Sequence, residues 1–392
     1  MKNKITVLGN NSGRNAGDMA ILGNLLYDIS CEMPGVEFLV PTTNPAFLNR
    51  HFGRYNMKPV PLLPWYGAAK NFGLPLAWSM LQGDAVLITD NILFDRKFYN
   101  PVFNNLASIS VMAPLCQKRG IPIVLYNASV GPIDFEVGEK ALQRVLDASP
   151  LVITRDEQTK ALLSRFRLSC PEVLVHADCA LNSALPSESR LEQVIRKERL
   201  FENPKGTIGF NVNAYIDNWS PGGTLGAQNF SQVIAGAIDK LIDRLGVDVM
   251  FAVTQVMDLK VTKACAKFIR NQEHVRIVSN VDYTYEEIAA LLGRVEVHAG
   301  LRTHTLIFSA AMNTPMVCIK SYPKSTGFMH TIGQGDWTIG FDELTVENLA
   351  EIVKRAWDQR SATRKQLKPI VDQEKQKAHA SAIVLKRFLV SR

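Results

Sequence analysis

Two doubly wound parallel α/β domains joined by a short linker are the fold this sequence predicts, and three observations predict it. Short apolar runs, many rich in Val and Ile, alternate with stretches of helical period, the pattern of a parallel sheet covered by helices. The alternation is interrupted at residues 186–205. There Leu185-Pro186-Ser187-Glu188-Ser189 is turn-like, Arg190–Leu200 is charged with a helical period, and Asn203-Pro204-Lys205-Gly206 closes the stretch. A chain of 392 residues also exceeds what one hydrophobic core usually serves.

In order, the first half offers strands at Ile5–Leu8, Val36–Val40, Ala85–Thr89, Ile121–Tyr126, Leu151–Thr154 and Glu172–Val175, with helices at Asp18–Ser30, Asn104–Lys118 and Glu136–Ala148. The second series runs strand Thr207–Val212, helix Gln228–Leu245, strand Asp248–Val253, helix Lys260–Arg270, strand Arg276–Val278 and helix Thr284–Leu292. It ends with strand Val295–His298, helix His304–Met312 and strand Met316–Lys320. The predicted organisation is a first domain over 1–185, the linker 186–205, a second domain over 206–350 and a basic helical tail over 351–392. Ligands of such sheets sit beyond the carboxyl ends of the strands, so the expected site is a cleft between two facing domains.

Composition excludes several classes. Hydrophobic residues make up 46% and charged ones 21%, close to a soluble globular average and far from a disordered chain. The six cysteines are scattered without a C-x-x-C, which suggests neither a zinc site nor a disulfide framework and fits a reducing cytoplasm. The apolar start Ile5-Thr6-Val7-Leu8 is too short for a signal peptide, and no run approaches the ~18 apolar residues that span a bilayer. From Glu351 onward eleven Lys/Arg face four Asp/Glu, an excess equal to the chain's whole net charge of +7. The body is therefore balanced, which argues against nucleic acid as a partner.

Two constellations carry chemistry. The first is the glycine-rich loop Gly9-Asn10-Asn11-Ser12-Gly13-Arg14-Asn15-Ala16-Gly17-Asp18 between strand and helix. Its glycine spacing is neither a dinucleotide nor a P-loop pattern. It reads either as a tight turn with Asp18 capping the helix, or as a polar lining in which Asn10, Asn15 and Asp18 bind a ligand such as a sugar. The second runs from His298 through Arg302 and His304 to Ala310, with Pro315 and then Tyr322-Pro323-Lys324. Strand, turn and helix place Arg302 and His304 beside a helix N-terminus, which attracts anions. Arg302 adds a planar fork, His304 a group able to exchange protons near pH 7, and Lys324 a further positive charge.

The patterns Asn15-Ala16-Gly17-Asp18-Met19-Ala20-Ile21, Arg155-Asp156, Arg302 to Pro315 and Tyr322 to Phe328 resemble those of the polysaccharide pyruvyltransferase family over roughly residues 5–335. The resemblance implies two Rossmann-like lobes like those of B-type glycosyltransferases. It also implies a reaction in which phosphoenolpyruvate (PEP) places a pyruvate ketal on a sugar of a surface polysaccharide or its lipid-linked precursor. One departure stands out: where the family commonly has a glycine-rich turn after the third strand of the first lobe, this chain has Thr89-Asp90-Asn91.

On that reading PEP is a co-substrate, no cofactor or metal is needed, and Arg302, His304, Lys324 and Arg155 bind the anion. His304 is the general acid, while Asp18 or Asp90 is the base for an acceptor held by Asn10, Asn15, Asp18 and Asp90. Expected partners are PEP and a glycan or lipid-linked sugar. The location is cytoplasmic, with the basic tail either packing on the first domain or touching the inner face of an anionic membrane. The rival readings are a nucleotide-sugar glycosyltransferase of the same architecture and a non-catalytic glycan-binding relative.

Overall fold

The structure is a computed structural model that describes residues 4–62, 73–100, 103–214, 227–320 and 323–392, so Ser321 and Tyr322 of the last motif lie outside the described residues. The chain forms two compact units, one of Met1–Gly13, Asp18–Cys179 and Glu374–Arg392, the other of Arg14–Gly17 and Ala180–Gln373.

The first unit carries a seven-stranded sheet in the order β3-β2-β1-β4-β5-β6-β7. Its strands are β1 Lys4–Leu8, β2 Glu37–Thr42, β3 Met57–Pro61, β4 Ala85–Ile88, β5 Ile123–Ala128, β6 Leu151–Thr154 and β7 Val173–Val175. All neighbours pair in parallel, β1 lying between β2 (Ile5 opposite Phe38) and β4 (Ile5 opposite Ala85). β1, β4, β5 and β6 are buried almost throughout, which is why their apolar runs are continuous rather than alternating. β3 was not legible because Pro59 and Pro61 interrupt it, and it occupies the sheet edge, where a missing N–H is tolerated.

The second unit carries a six-stranded parallel sheet in the order β10-β9-β8-β11-β12-β13. Here β8 is Thr207–Phe210, β9 Asp248–Val253, β10 Val275–Ser279, β11 Val297–Gly300, β12 Met316–Ile319 and β13 Thr338–Ile339. Phe210, Phe230, Phe251, Leu241 and Leu349 are fully buried where the helices Ala227–Leu245 and Val346–Asp358 cover one sheet face. Each such side chain contributes about 1.5–3 kcal/mol by leaving water. The linker region contains the helix Glu188–Glu198, begun by Ser187, whose hydroxyl accepts the Arg190 amide.

In each sheet the strand order reverses at one point, between β1 and β4 in the first and between β8 and β11 in the second. Loops leaving the carboxyl ends of those strands diverge there and leave room for a ligand. The polar residues singled out in the sequence cluster at these two places.

The last helix, Arg360–Val390, buries Leu367, Val371, Ala378, Ala382 and Leu385, one stripe at spacings of four, seven, four and three residues. Within the first unit its final part is also held by polar bonds. Ser381 donates to Asn127 at 2.6 Å, His379 meets Asp28 at 3.0 Å, and Lys386 meets Glu32 at 3.2 Å. Val384, Phe388 and Leu389 stay half-exposed. Among the described residues no helix is long and apolar enough to cross a membrane.

Candidate active site

The second unit assembles its site from three loops. After β11 the chain turns at Leu301-Arg302 and enters the helix Thr303–Ala311, whose residues from Thr305 onward are all buried. After β12 the helix Pro323–Thr331 begins with a proline, whose fixed φ suits a first helical position, and places half-buried Lys324 in its first turn. The Thr303 hydroxyl lies 2.8 Å from the Ser325 hydroxyl, so the first turns of the two helices are tied together. Two sets of helix N-terminal amides and two partial positive dipole ends therefore lie side by side, flanked by His304 and Lys324.

Part of the first motif belongs to this unit. Ala16 donates to the Thr254 carbonyl at 2.8 Å, Val256 donates to the Arg14 carbonyl at 3.1 Å, and Asn15 forms a bridge with Gln255. Gly17 then packs against the His304 ring so closely that a Cβ there would lie 2.1 Å from Nδ1. The helix starts at Ala16 rather than Asp18, and the Asn15 side chain accepts the Gly17 amide at 2.9 Å. Asn15 thus takes the capping place expected of Asp18, which instead sits in the first turn, where a carboxylate still suits the dipole.

Arg302 is the N-cap residue of the Thr303 helix, and its side chain turns to Asp258. Nε and Nη2 donate to the two carboxylate oxygens, each at 2.8 Å, and Asp258 also accepts the Ala214 amide at 2.9 Å. The Arg302 amide donates to Asn211 Oδ1 at 3.0 Å, and Asn211 Nδ2 reaches the Ala252 carbonyl at 2.8 Å. Asp258 is fully buried. Removing one partner of such a buried ion pair costs about 3–5 kcal/mol. Sequence reasoning missed both Asp258 and Asn211. The only signal was an acidic residue opening a helix after β9 and an asparagine directly after β8, each of which also reads as a cap or turn.

On the same strand as the turn, His298 is fully buried between Gly209 and Gly300. Burial holds its imidazole neutral, with the pKa pushed down from 6.5 to about 3.

In the first unit Asn10, Asp90 and Arg155 come together at the β1/β4 reversal. Asn10 donates to Asp90 Oδ2 at 2.9 Å. Arg155 donates to Asp178 at 2.7 Å and to the Ser129 hydroxyl at 3.0 Å, and lies 3.9 Å from Asp90. Burial works against the Arg155 charge, but Asp178, then Asp90 and Asp156, outweigh it and raise its pKa. Asp156 caps the helix Glu157–Leu163 through the Thr159 amide. Asp90 adopts φ of 63°, a left-handed conformation that glycine takes freely and aspartate tolerates better than most residues. At this departure from a glycine-rich turn the chain thus holds a buried carboxylate on left-handed backbone. Asp18 also belongs to this unit. Among the described residues no group of three metal-ligating side chains is found.

Two parallel-sheet units with polar loops at their strand-order reversals define the B-type glycosyltransferase and sugar-nucleotide epimerase fold. UDP-GlcNAc 2-epimerase from Neisseria meningitidis, bound to UDP-GlcNAc, superposes with a TM-score of 0.69 at 11% identity, covering 99% of this chain and 100% of that one. Anabaena Alr3699/HepE in complex with UDP-glucose gives 0.62 at 14% identity over 99% and 98%. The S. aureus MnaA–UDP structure gives 0.61 at 13% over 97% and 92%. At these identities the likeness is one of fold. No curated protein matches the chain in sequence. The family model for polysaccharide pyruvyl transferase matches residues 15–321, and the chain belongs to that family of polysaccharide-modifying transferases.

Proposed function

We propose that the protein transfers the pyruvyl carbons of PEP to two hydroxyls of a sugar in a surface polysaccharide or its lipid-linked precursor. The observation that carries this reading is the joining of two helix N-termini through Thr303 and Ser325, with His304 and Lys324 at their first turns, inside the family-matched region. PEP brings a carboxylate and a phosphate, and paired helix N-termini with a lysine supply what such an anion needs. Arg155, kept charged by its carboxylate neighbours, is proposed as a further PEP ligand.

In the reaction, C3 of the enol gains a proton from His304 and C2 becomes open to attack by one acceptor hydroxyl. The C2–O bond to phosphate then breaks, and a second hydroxyl closes the ketal, its proton leaving with inorganic phosphate. The helix N-termini and Lys324 stabilise the departing phosphate. Asp18 or Asp90, the latter with its carboxylate oriented by Asn10, accepts the hydroxyl proton, and Asn10, Asn15, Asp18 and Asp90 bind the acceptor. PEP-dependent phosphate release in the presence of an acceptor glycan, with pyruvate retained on the glycan, tests this reading. Phosphate release that leaves the glycan unmodified would contradict it.

Several solved structures of this fold hold UDP or UDP-sugars. A nucleotide-sugar reading would give the same helix N-termini to a diphosphate, and competition between PEP and UDP for the protein separates the two.

A further inference from the structure

We propose that Asp258 is a positioning residue of this enzyme and that Arg302, acting through it, sets the geometry of the anion site rather than binding the anion. The inference rests on the reading that the Thr303 helix receives PEP. Asp258 is fully buried, so it touches no ligand, yet it holds both donor positions on one edge of the Arg302 guanidinium at 2.8 Å. Arg302 is in turn the residue from which the Thr303 helix springs: its carbonyl accepts the Thr305 amide at 3.0 Å and the Thr305 hydroxyl at 2.8 Å. Its own amide is fixed by Asn211 at 3.0 Å.

The result is a brace linking the loops that leave β8, β9 and β11, the strands around the reversal point of this sheet. A bidentate arginine–carboxylate pair fixes direction as well as distance, because two parallel N–H···O bonds allow little rotation. The direction fixed here is that of the first turn carrying Thr303 and His304. The loop holding Asp258 is the same one that receives Arg14, Asn15 and Ala16, so the brace also seats the segment that packs Gly17 on His304.

A double-variant cycle of Asp258→Asn and Arg302→Met tests this, with Arg302→Lys in reserve should Arg302→Met not fold. The first readout needs no ligand: amide hydrogen exchange of the peptide covering 303–306. The second is PEP affinity by calorimetry. Asp258→Asn should speed exchange about tenfold and weaken PEP at least threefold, and adding the Arg302 substitution should change neither further, since both residues act as one unit. A lower melting temperature with unchanged exchange and PEP affinity in Asp258→Asn would overturn the positioning role. So would a further loss of PEP affinity when Arg302 is replaced in the Asp258→Asn background, because Arg302 would then be a ligand itself. If wild type does not bind PEP while the exchange cycle behaves as expected, the PEP reading fails and the brace stands. Additive exchange effects would remove the brace whatever PEP does.

Discussion

A Cβ placed on Gly17 would lie 2.1 Å from His304 Nδ1, so the glycine of the first motif is in contact with the histidine of the second. No side chain approaches another atom that closely, and the His304 ring cannot keep its place beside any residue larger than glycine. Gly17→Ala should therefore displace the imidazole and lower turnover by at least tenfold. Overpacking of this kind costs about 1–3 kcal/mol, visible in thermal unfolding. Wild-type turnover in Gly17→Ala would show that the His304 position does not matter to the reaction.

His304→Gln should leave PEP affinity within a few-fold of wild type and reduce phosphate release by about 10²–10⁴, the usual contribution of a general acid. Calorimetry and a phosphate assay on the same preparation check the two halves of the statement. Equal losses in both would make His304 a ligand instead of the proton donor.

His298 gives the second unit a defined acid sensitivity. Its folded pKa is lowered from 6.5 to about 3, so below 6.5 the unfolded chain takes up a proton that the folded chain refuses. That contribution is intact at pH 7 and is lost as pH falls from about 6.5 toward 3. Between pH 7 and pH 5 the loss amounts to about 2 kcal/mol, at 1.36 kcal/mol per pH step of separation. His298→Met, which cannot take up a proton, should close the stability gap to wild type by that amount on going from pH 7 to pH 5. Parallel denaturation curves at the two pH values would refute it.

The tail separates two roles. Leu385 is fully buried within the first unit, and Leu385→Ala should cost about 2–5 kcal/mol. Lys386 and Arg387 are exposed, with Lys386 near Glu32. If they also meet an anionic membrane, vesicles rich in phosphatidylserine should sediment wild type better than Lys386→Glu/Arg387→Glu at low salt, with the difference vanishing at high salt. Equal sedimentation leaves packing alone.

The sequence made the strands visible because parallel strands buried on both faces need uninterrupted apolar runs, as in Ala85–Ile88 and Met316–Ile319. It hid β3, with its prolines, and two-residue β13, too short to show a period. Arg302 and His304 stood out because they share one helix start, and Lys324 because it follows the next strand; the Thr303–Ser325 contact joins the two helices. What could not be read was pairing: Asp258 lies 44 positions from Arg302, and Gly17 meets His304 from a distant part of the chain. Single-chain patterns report local period and charge, whereas such contacts depend on which strands become neighbours. Arg302 stood out as a charged fork at that helix start, whereas the buried carboxylate that it faces did not.

The central claim is that PEP is the donor, and calorimetric titration of PEP into wild type and Lys324→Ala, with UDP and UDP-GlcNAc as comparison ligands, tests it most directly. PEP should bind wild type and bind Lys324→Ala at least tenfold more weakly, a loss of ~1.4 kcal/mol within the range of one charge-assisted hydrogen bond, while UDP and UDP-GlcNAc give no heat. Binding of UDP-GlcNAc without binding of PEP would contradict the account.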